Sequence, residues 1–311
     1  MASYLGIDLG GTNIRAVAVT AAGELLAQHR ALTRAQEGPE AVIARLVEAA
    51  RWLQGQVGPA AAIGIGAPGP LDLEHGLVLT APHLPGWERL PLRQILAEEL
   101  GIPCALENDA NAAAIGEHRH GAGQGVRHLL YVGLGTGIGG GIIIDGRIYH
   151  GAVGGAGEVG HMAIALDGPR CDCGRVGCWE AFASGSALER RAAALVAAGE
   201  APGLAHRLEE ASLTAELVAA AAADGDAVAQ ALLAETGRYV GIGLGNLANL
   251  LDPERIIVGG GLSQAGPLLW RPALAALGER AFRRPPVLAA GLGDWSGAFG
   301  AAAIAREAQG L

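Results

Sequence analysis

Tyr4-Leu5-Gly6-Ile7-Asp8-Leu9-Gly10-Gly11-Thr12-Asn13 is a short apolar run that ends in an acid and breaks on paired glycines. Ile14–Val19 then alternates and is rich in β-formers, and Ala22-Gly23 supplies a turn. The pattern reads as strand, tight glycine turn, strand. It restarts near residue 127. His128–Leu134 is strand-like, Gly135-Thr136-Gly137-Ile138-Gly139-Gly140-Gly141 is a turn, and Ile142–Ile144 is strand-like. Asp145-Gly146 then makes a hairpin turn. Two halves that open alike point to two related α/β domains.

The rest of the chain fills that frame. Pro39–Gln54 carries Val42, Leu46, Ala49 and Leu53 at helical spacing. Ala61–Ala67 is a buried-strand run broken by Pro68-Gly69-Pro70. Leu92–Leu100 reads as a helix stopped by Gly101. Pro103–Glu107 reads as a strand and Asn111–His118 as a helix, with Asp109 or a neighbour as its N-cap. From about residue 184 to 250 the chain is mostly Ala/Leu-rich helix. Arg255–Val258 is a strand running into Gly259-Gly260-Gly261, and Ala298–Arg306 is the closing helix.

The chain has 311 residues, enough for two domains at ~100–200 residues each. Half of them are hydrophobic and few are aromatic, so the core is aliphatic. A net charge of −9 argues against a nucleic-acid or anionic-membrane surface. There is no basic-then-apolar start, and no apolar run approaches the ~18 residues of a membrane span. A cytoplasmic setting is expected. Reduced thiols fit it, because four cysteines, three of them clustered, do not make a disulfide framework.

That cluster is Cys171-Asp172-Cys173-Gly174-Arg175-Val176-Gly177-Cys178-Trp179-Glu180, preceded by Glu158-Val159-Gly160-His161. Three thiols and an imidazole suit a closed, structural tetrahedral zinc site with His161, Cys171, Cys173 and Cys178 as ligands. Three reduced core thiols are the plainer reading, but three within eight residues and interleaved with glycine are poor packing. Zinc would also hold Glu158, His161 and Glu180 as rigid polar groups for a small polar ligand.

The other motifs each have an ordinary reading. Gly10-Gly11-Thr12-Asn13 can offer backbone N–H groups and a hydroxyl to phosphate oxygens, and Asp8 can face Mg²⁺ through water. It can also be a simple hairpin. Gly135–Gly140 matches G-x-G-x-x-G, yet a dinucleotide site needs a helix next and Ile142-Ile143-Ile144 reads as strand. A second phosphate-gripping hairpin fits that context better. Glu107-Asn108-Asp109-Ala110-Asn111 clusters polar groups at a strand's C-terminal end, where α/β sheets bind ligands. An Asp there can accept a proton, and an isolated Asn-Asp can equally be an N-cap. Gly259–Gly261 alone says little, and the histidines other than His161 read as solvated surface.

In order along the chain, these motifs resemble the ROK family of repressors and sugar kinases, and within it the ATP-dependent glucokinases. The resemblance covers nearly the whole sequence. It implies a two-domain actin-like, ribonuclease H-like α/β fold with a ligand cleft between domains. The smaller domain would be residues 1–117 with about 298–311, and the larger 118–297, carrying the zinc loop. The implied reaction is phosphorylation of glucose at its 6-hydroxyl, with Asp109 as base. Another hexose (N-acetylmannosamine, N-acetylglucosamine or fructose) or a non-catalytic sugar sensor is the alternative.

The resemblance assigns the sugar to Asn108, Asp109, Glu158, His161, Glu180 and Gly69. It assigns ATP to Gly10, Gly11, Thr12, Asn13, Gly135, Thr136, Gly137 and Gly139, with Gly259, Gly260 and Gly261 near the adenosine and Asp8 facing Mg²⁺. It implies a homodimer or larger homo-oligomer and neither nucleic-acid nor membrane partners. A phosphate turn at residue 8 leaves no room for the helix-turn-helix that family repressors carry ahead of it. Two positions depart from expectation. Asn13 stands where a lysine is frequent and cannot supply a positive charge, and Trp295 in Gly293-Asp294-Trp295-Ser296 has no functional reading.

Overall fold

The structure, a computed structural model, describes residues 2–81, 83–209 and 211–309. In chain order the elements are β1 (Ser3–Leu9), β2 (Asn13–Thr20), β3 (Leu25–Leu32), α1 (Pro39–Val57), β4 (Ala60–Ala67), β5 (Leu71–Asp72), β6 (Leu77–Thr80) and β7 (Glu88–Leu90). There follow α2 (Leu92–Leu100), β8 (Cys104–Asn108), α3 (Asp109–His120), β9 (Leu129–Leu134), β10 (Ile138–Ile144) and β11 (Arg147–Ile148). The chain continues with α4 (Trp179–Ala183), α5 (Gly185–Ala197), α6 (Pro202–Arg207), α7 (Ala215–Ala223), α8 (Ala227–Leu251), β12 (Arg255–Gly259), α9 (Pro267–Arg280), β13 (Val287–Ala289) and α10 (Ser296–Glu307).

One five-stranded sheet has the order β3-β2-β1-β4-β8, and a second has β11-β10-β9-β12-β13. In the first, β1 pairs antiparallel with β2 across the glycine turn, and parallel with β4. β4 pairs parallel with β8. A three-stranded sheet, β5-β6-β7, was not expected, because its strands are only two to four residues long. The glycine run after β9 is mostly strand rather than turn. β10 starts at Ile138 and passes through Gly139–Gly141, which leaves residues 135–137 as the turn. Periodicity missed this because glycine has no side chain to alternate.

The chain divides into two compact units. The first is Met1–Tyr131, Gly141–Gly157 and Ala290–Leu311, and the second is Val132–Gly140 and Glu158–Ala289. The boundaries read from sequence, 117 and 297, fall elsewhere. In the first unit α1 turns Val42, Leu46, Val47, Ala49, Ala50 and Leu53 onto the sheet, where they join Leu5, Ile7, Leu9, Ile63 and Ile65 in an aliphatic core. The opposite face of β1, β2 and β4 (Tyr4, Val17, Val19, Ala62) packs on Ala298, Phe299, Ala302 and Ala305 of α10. That helix lies unusually close to the sheet. A Cβ on Gly6 would stand 2.0 Å from the Ala298 carbonyl oxygen, and one on Gly64 1.9 Å from that of Ala301. Only glycine fits at either point.

In the second unit α8 buries a long row that includes Leu232, Leu233, Val240, Leu244 and Leu247, and α9 packs against it. Gly237 and Gly241 of α8 face the Leu269 and Ala273 carbonyls of α9 at Cβ distances of 2.2 and 2.1 Å. Among the described residues no single helix is long and apolar enough to cross a membrane.

Candidate active site

The turn Glu107-Asn108-Asp109-Ala110-Asn111 joins β8 to α3. Asn108 is the N-cap: its Oδ1 accepts the backbone N–H groups of Ala110 at 3.0 Å and Asn111 at 3.1 Å. The capping expectation had pointed at Asp109 or its neighbours, and the neighbour does it. The Asp109 carboxylate takes part in the same turn. Its Oδ1 accepts the Asn108 side-chain N–H at 3.0 Å and the Ala110 backbone N–H at 2.8 Å, so one oxygen is held by two donors. Gly69 lies beside this turn, its Cβ direction 3.7 Å from Asn108 Nδ2.

Behind the turn stands Glu107, 3% exposed. Its Oε1 accepts the Asn108 backbone N–H at 2.9 Å and the Asn111 amide at 3.0 Å, and its Oε2 is 2.7 Å from His150 Nε2. Farther along α3, Glu117 is fully buried. It accepts backbone N–H groups from Ala122 and Gly291 on Oε2, and the Leu292 N–H and the Ser296 hydroxyl on Oε1. Four donors compensate the burial of this charge. They also tie residues 291–296 to α3, which is why the chain re-enters the first unit at Ala290 and not at 298.

The first glycine hairpin closes with Gly10 N–H bonding to the Asn13 carbonyl at 3.0 Å. Thr33 braces it through its hydroxyl on the Gly10 carbonyl and its N–H on the Thr12 carbonyl. Asp8 is the next-to-last residue of β1, opposite Arg15 in the ladder. Arg15 Nη1 is 3.7 Å from Asp8 and its Nη2 3.2 Å from Asp294, and Arg30 Nε donates to Asn13 Oδ1 at 3.2 Å. Burial, with Asp109 and Asp294 nearby and Arg15 opposing them, pushes the Asp8 carboxyl up to about 7.

In the second unit, the turn at 135–137 closes with Gly135 N–H on the Gly137 carbonyl at 3.0 Å. Glu180, at the start of α4, reaches this turn: its Oε2 accepts the Ile138 N–H at 2.8 Å. A Cβ on Gly137 would stand 2.4 Å from that oxygen. Gly137 is therefore glycine to admit Glu180, whatever else the turn holds. Gly260 has φ of +85°, and a Cβ there would meet the Leu134 carbonyl at 2.3 Å, so packing on β9 is reason enough for it.

His161 ends a short 3-10 turn, Val159–His161, and Glu158 is its N-cap residue. His161 Nδ1 is 3.7 Å from Cys171 Sγ, and its Nε2 is 3.9 Å from a Glu158 oxygen. The ligand atoms of His161, Cys171, Cys173 and Cys178 all lie within 4.8 Å of one another. Metal–sulfur bonds of ~2.3 Å in a tetrahedron put sulfurs ~3.8 Å apart. Cys173 and Cys178 Sγ are 3.7 Å apart. Burial pushes the Cys171 thiol up to about 12 and the Cys178 thiol upward, while the Arg175 backbone N–H pulls Cys173 down. A dication bound among them is what would convert the buried thiols to thiolates. Glu180 Oε1 is 3.7 Å from Cys171 Sγ, so the cysteine cluster and the 135–137 turn share one carboxylate.

Sequence reading quoted Glu107 and Asp294 within their runs without giving either a role of its own, and it missed Glu117 and Arg15; Glu107, Glu117 and Arg15 each have a partner far off in the chain. It also misjudged two histidines. His150 is bound to Glu107, and His118 Nε2 bonds to the Val126 carbonyl, so neither is simply solvated.

The ROK family model matches residues 4–308. The chain is 39% identical to the glucokinase of Streptomyces coelicolor, over 99% of this chain and 98% of that one. It is 34% identical to the xylose repressor of Caldicellulosiruptor bescii, over 90% of this chain and 71% of the repressor. The crystal structure of a ROK family glucokinase from Streptomyces griseus in complex with glucose and AMPPNP superposes with a TM-score of 0.86. It is 37% identical, with 98% of this chain and 100% of that one covered. The chain belongs to the ROK family. Its fold is the two-domain, actin-like α/β fold of the ROK sugar kinases.

Proposed function

We propose that this protein transfers the terminal phosphoryl group of ATP to the 6-hydroxyl of glucose, with Asp109 as the general base. That it is an ATP-dependent hexose kinase rests on glucokinases at 38–39% identity and on the S. griseus structure with an ATP analogue. The observation that carries the finer reading is the Asp109 carboxylate. One of its oxygens is locked by two N–H donors at the end of a parallel strand. A carboxylate so oriented is placed to meet an incoming hydroxyl.

Phosphoryl transfer asks the protein for positioning and charge neutralisation more than for covalent chemistry. Gly10–Asn13 and Gly135–Gly139 would offer backbone N–H groups to phosphate oxygens. Asp8 would hold Mg²⁺ through water, and the ion would neutralise charge on the phosphates. Asn108, Glu158, His161, Glu180 and Gly69 would meet sugar hydroxyls, and Gly259–Gly261 the adenosine. His161, Cys171, Cys173 and Cys178 would bind a structural zinc, which fits the sulfur spacing and leaves no open position for chemistry. Its work would be to fix His161 and Glu180 for the sugar.

The test is ADP release with Mg-ATP across glucose, mannose, fructose, N-acetylglucosamine and N-acetylmannosamine. High kcat/KM on glucose alone is expected. Preference for an N-acetyl sugar would move the substrate, and turnover with none of them would overturn the kinase reading.

A further inference from the structure

His150 stands outside every motif that the site reading uses, yet it is one bond removed from the catalytic turn. Its Nε2 lies 2.7 Å from Glu107 Oε2. Glu107 spends its other oxygen on the Asn108 backbone N–H and the Asn111 amide. Asn108 in turn donates to Asp109 and caps α3. A chain of short bonds therefore runs from imidazole to carboxylate to turn to base. The Glu107 hydrogen bond favours the charged imidazole and raises the His150 pKa above its ordinary value.

The imidazole is itself anchored. The Tyr149 N–H bonds to the Ile142 carbonyl at 2.8 Å, and the His150 carbonyl accepts the Ala156 N–H at 3.1 Å. These bonds close residues 150–156 into a loop rooted on β10 and β11. A buried carboxylate with only two amide donors would keep unmatched acceptor capacity. His150 supplies the third donor, from the segment that follows β11 rather than from β8 or α3 themselves.

We infer that His150 is a positioning residue for phosphoryl transfer: held by the 150–156 loop, it fixes Glu107, and through Glu107 the orientation of Asn108 and Asp109. The inference rests on Asp109 being the base. It predicts an effect on turnover at a residue to which the proposed site assigns no sugar or nucleotide contact.

The experiment compares His150→Leu, His150→Gln and Asp109→Asn, with the double variant H150L/D109N, by kcat and KM for both substrates. Melting curves report folding. His150→Leu is expected to lower kcat by roughly tenfold while the KM for ATP stays within about twofold, an effect of the size one positioning contact carries. His150→Gln keeps an N–H donor and should restore most of the rate. In the Asp109→Asn background, His150→Leu should add little, because residues acting as one unit are not additive. Wild-type kcat in His150→Leu would overturn the inference. So would a full, independent loss in the double variant, or equal losses in the Leu and Gln variants that track their melting temperatures. Near-normal turnover in Asp109→Asn alone would instead remove the base assignment, and with it the route by which His150 is argued to act.

Discussion

Asn108 Nδ2 donates to Asp109 Oδ1 at 3.0 Å, so the residue that caps α3 also aims the carboxylate beside it. Asp109→Asn keeps the shape but removes the basic oxygens. We expect kcat to fall by ~10²–10⁴, the usual contribution of a general base, with the glucose KM changed far less. Steady-state ADP release measures both. Turnover close to wild type would dismiss Asp109 as the base.

The Cys173–Cys178 spacing predicts a loaded protein with about one zinc per chain. Cys178→Ser should lose that metal by elemental analysis, melt several degrees lower and bind glucose more weakly. Its ATP affinity should change less. Wild-type stability in a zinc-free Cys178→Ser protein would show that the four side chains hold no structural ion.

Gly137 and Gly135 separate two kinds of glycine. A Cβ on Gly137 meets Glu180 at 2.4 Å, whereas one on Gly135 meets nothing within 4 Å. Gly137→Ala should displace Glu180 and raise the glucose KM tenfold or so, an order-of-magnitude expectation for a displaced polar contact. Gly135→Ala should leave the melting temperature within about a degree. Equal behaviour of the two would mean that Glu180 does not depend on this turn.

Asp8 sets stability against function. Its folded pKa, about 7, lies above the ordinary 3.8, so the fold prefers the neutral acid. The penalty for ionising it is absent below pH 3.8, grows between the two values, and is complete above about 7. Asp8→Asn should therefore raise the melting temperature at pH 8 by a few degrees, on the order of 1 kcal/mol, and much less at pH 5. Phosphoryl transfer should drop at both. Thermal melts at the two pH values decide it, and a gain that is larger at pH 5 would contradict the sign.

Much of this molecule can be read from local pattern. The Gly10–Asn13 hairpin, the Asn-Asp turn after β8 and the Asp145-Gly146 turn each announce themselves within a few residues. The cysteine cluster does so within eight. What stayed hidden is long-range. Glu117 finds donors at positions 291, 292 and 296, and Glu107 finds one at 150. Glu117 looks like a surface residue in a linear reading, and Glu107, although it stands in the polar cluster after β8, gives no local sign of His150. β3 was missed as well, since Leu25–Leu32 exposes Leu25, Leu26 and Leu32 and alternates weakly.

The seat of α10 has a consequence for biosynthesis. Tyr4, Val17, Val19 and Ala62 are made early, yet the helix that covers them spans Ser296–Glu307. At ~5–20 residues per second, that apolar face, complete at Ala62, waits roughly 12–50 s on a ribosome-bound chain before its cover is made. The nascent protein thus offers a sticky half-finished sheet for most of its own translation. Holding chaperones, slow codons near the end of the message, or truncations inside α10 should govern yield far more than changes of similar size on the α1 surface.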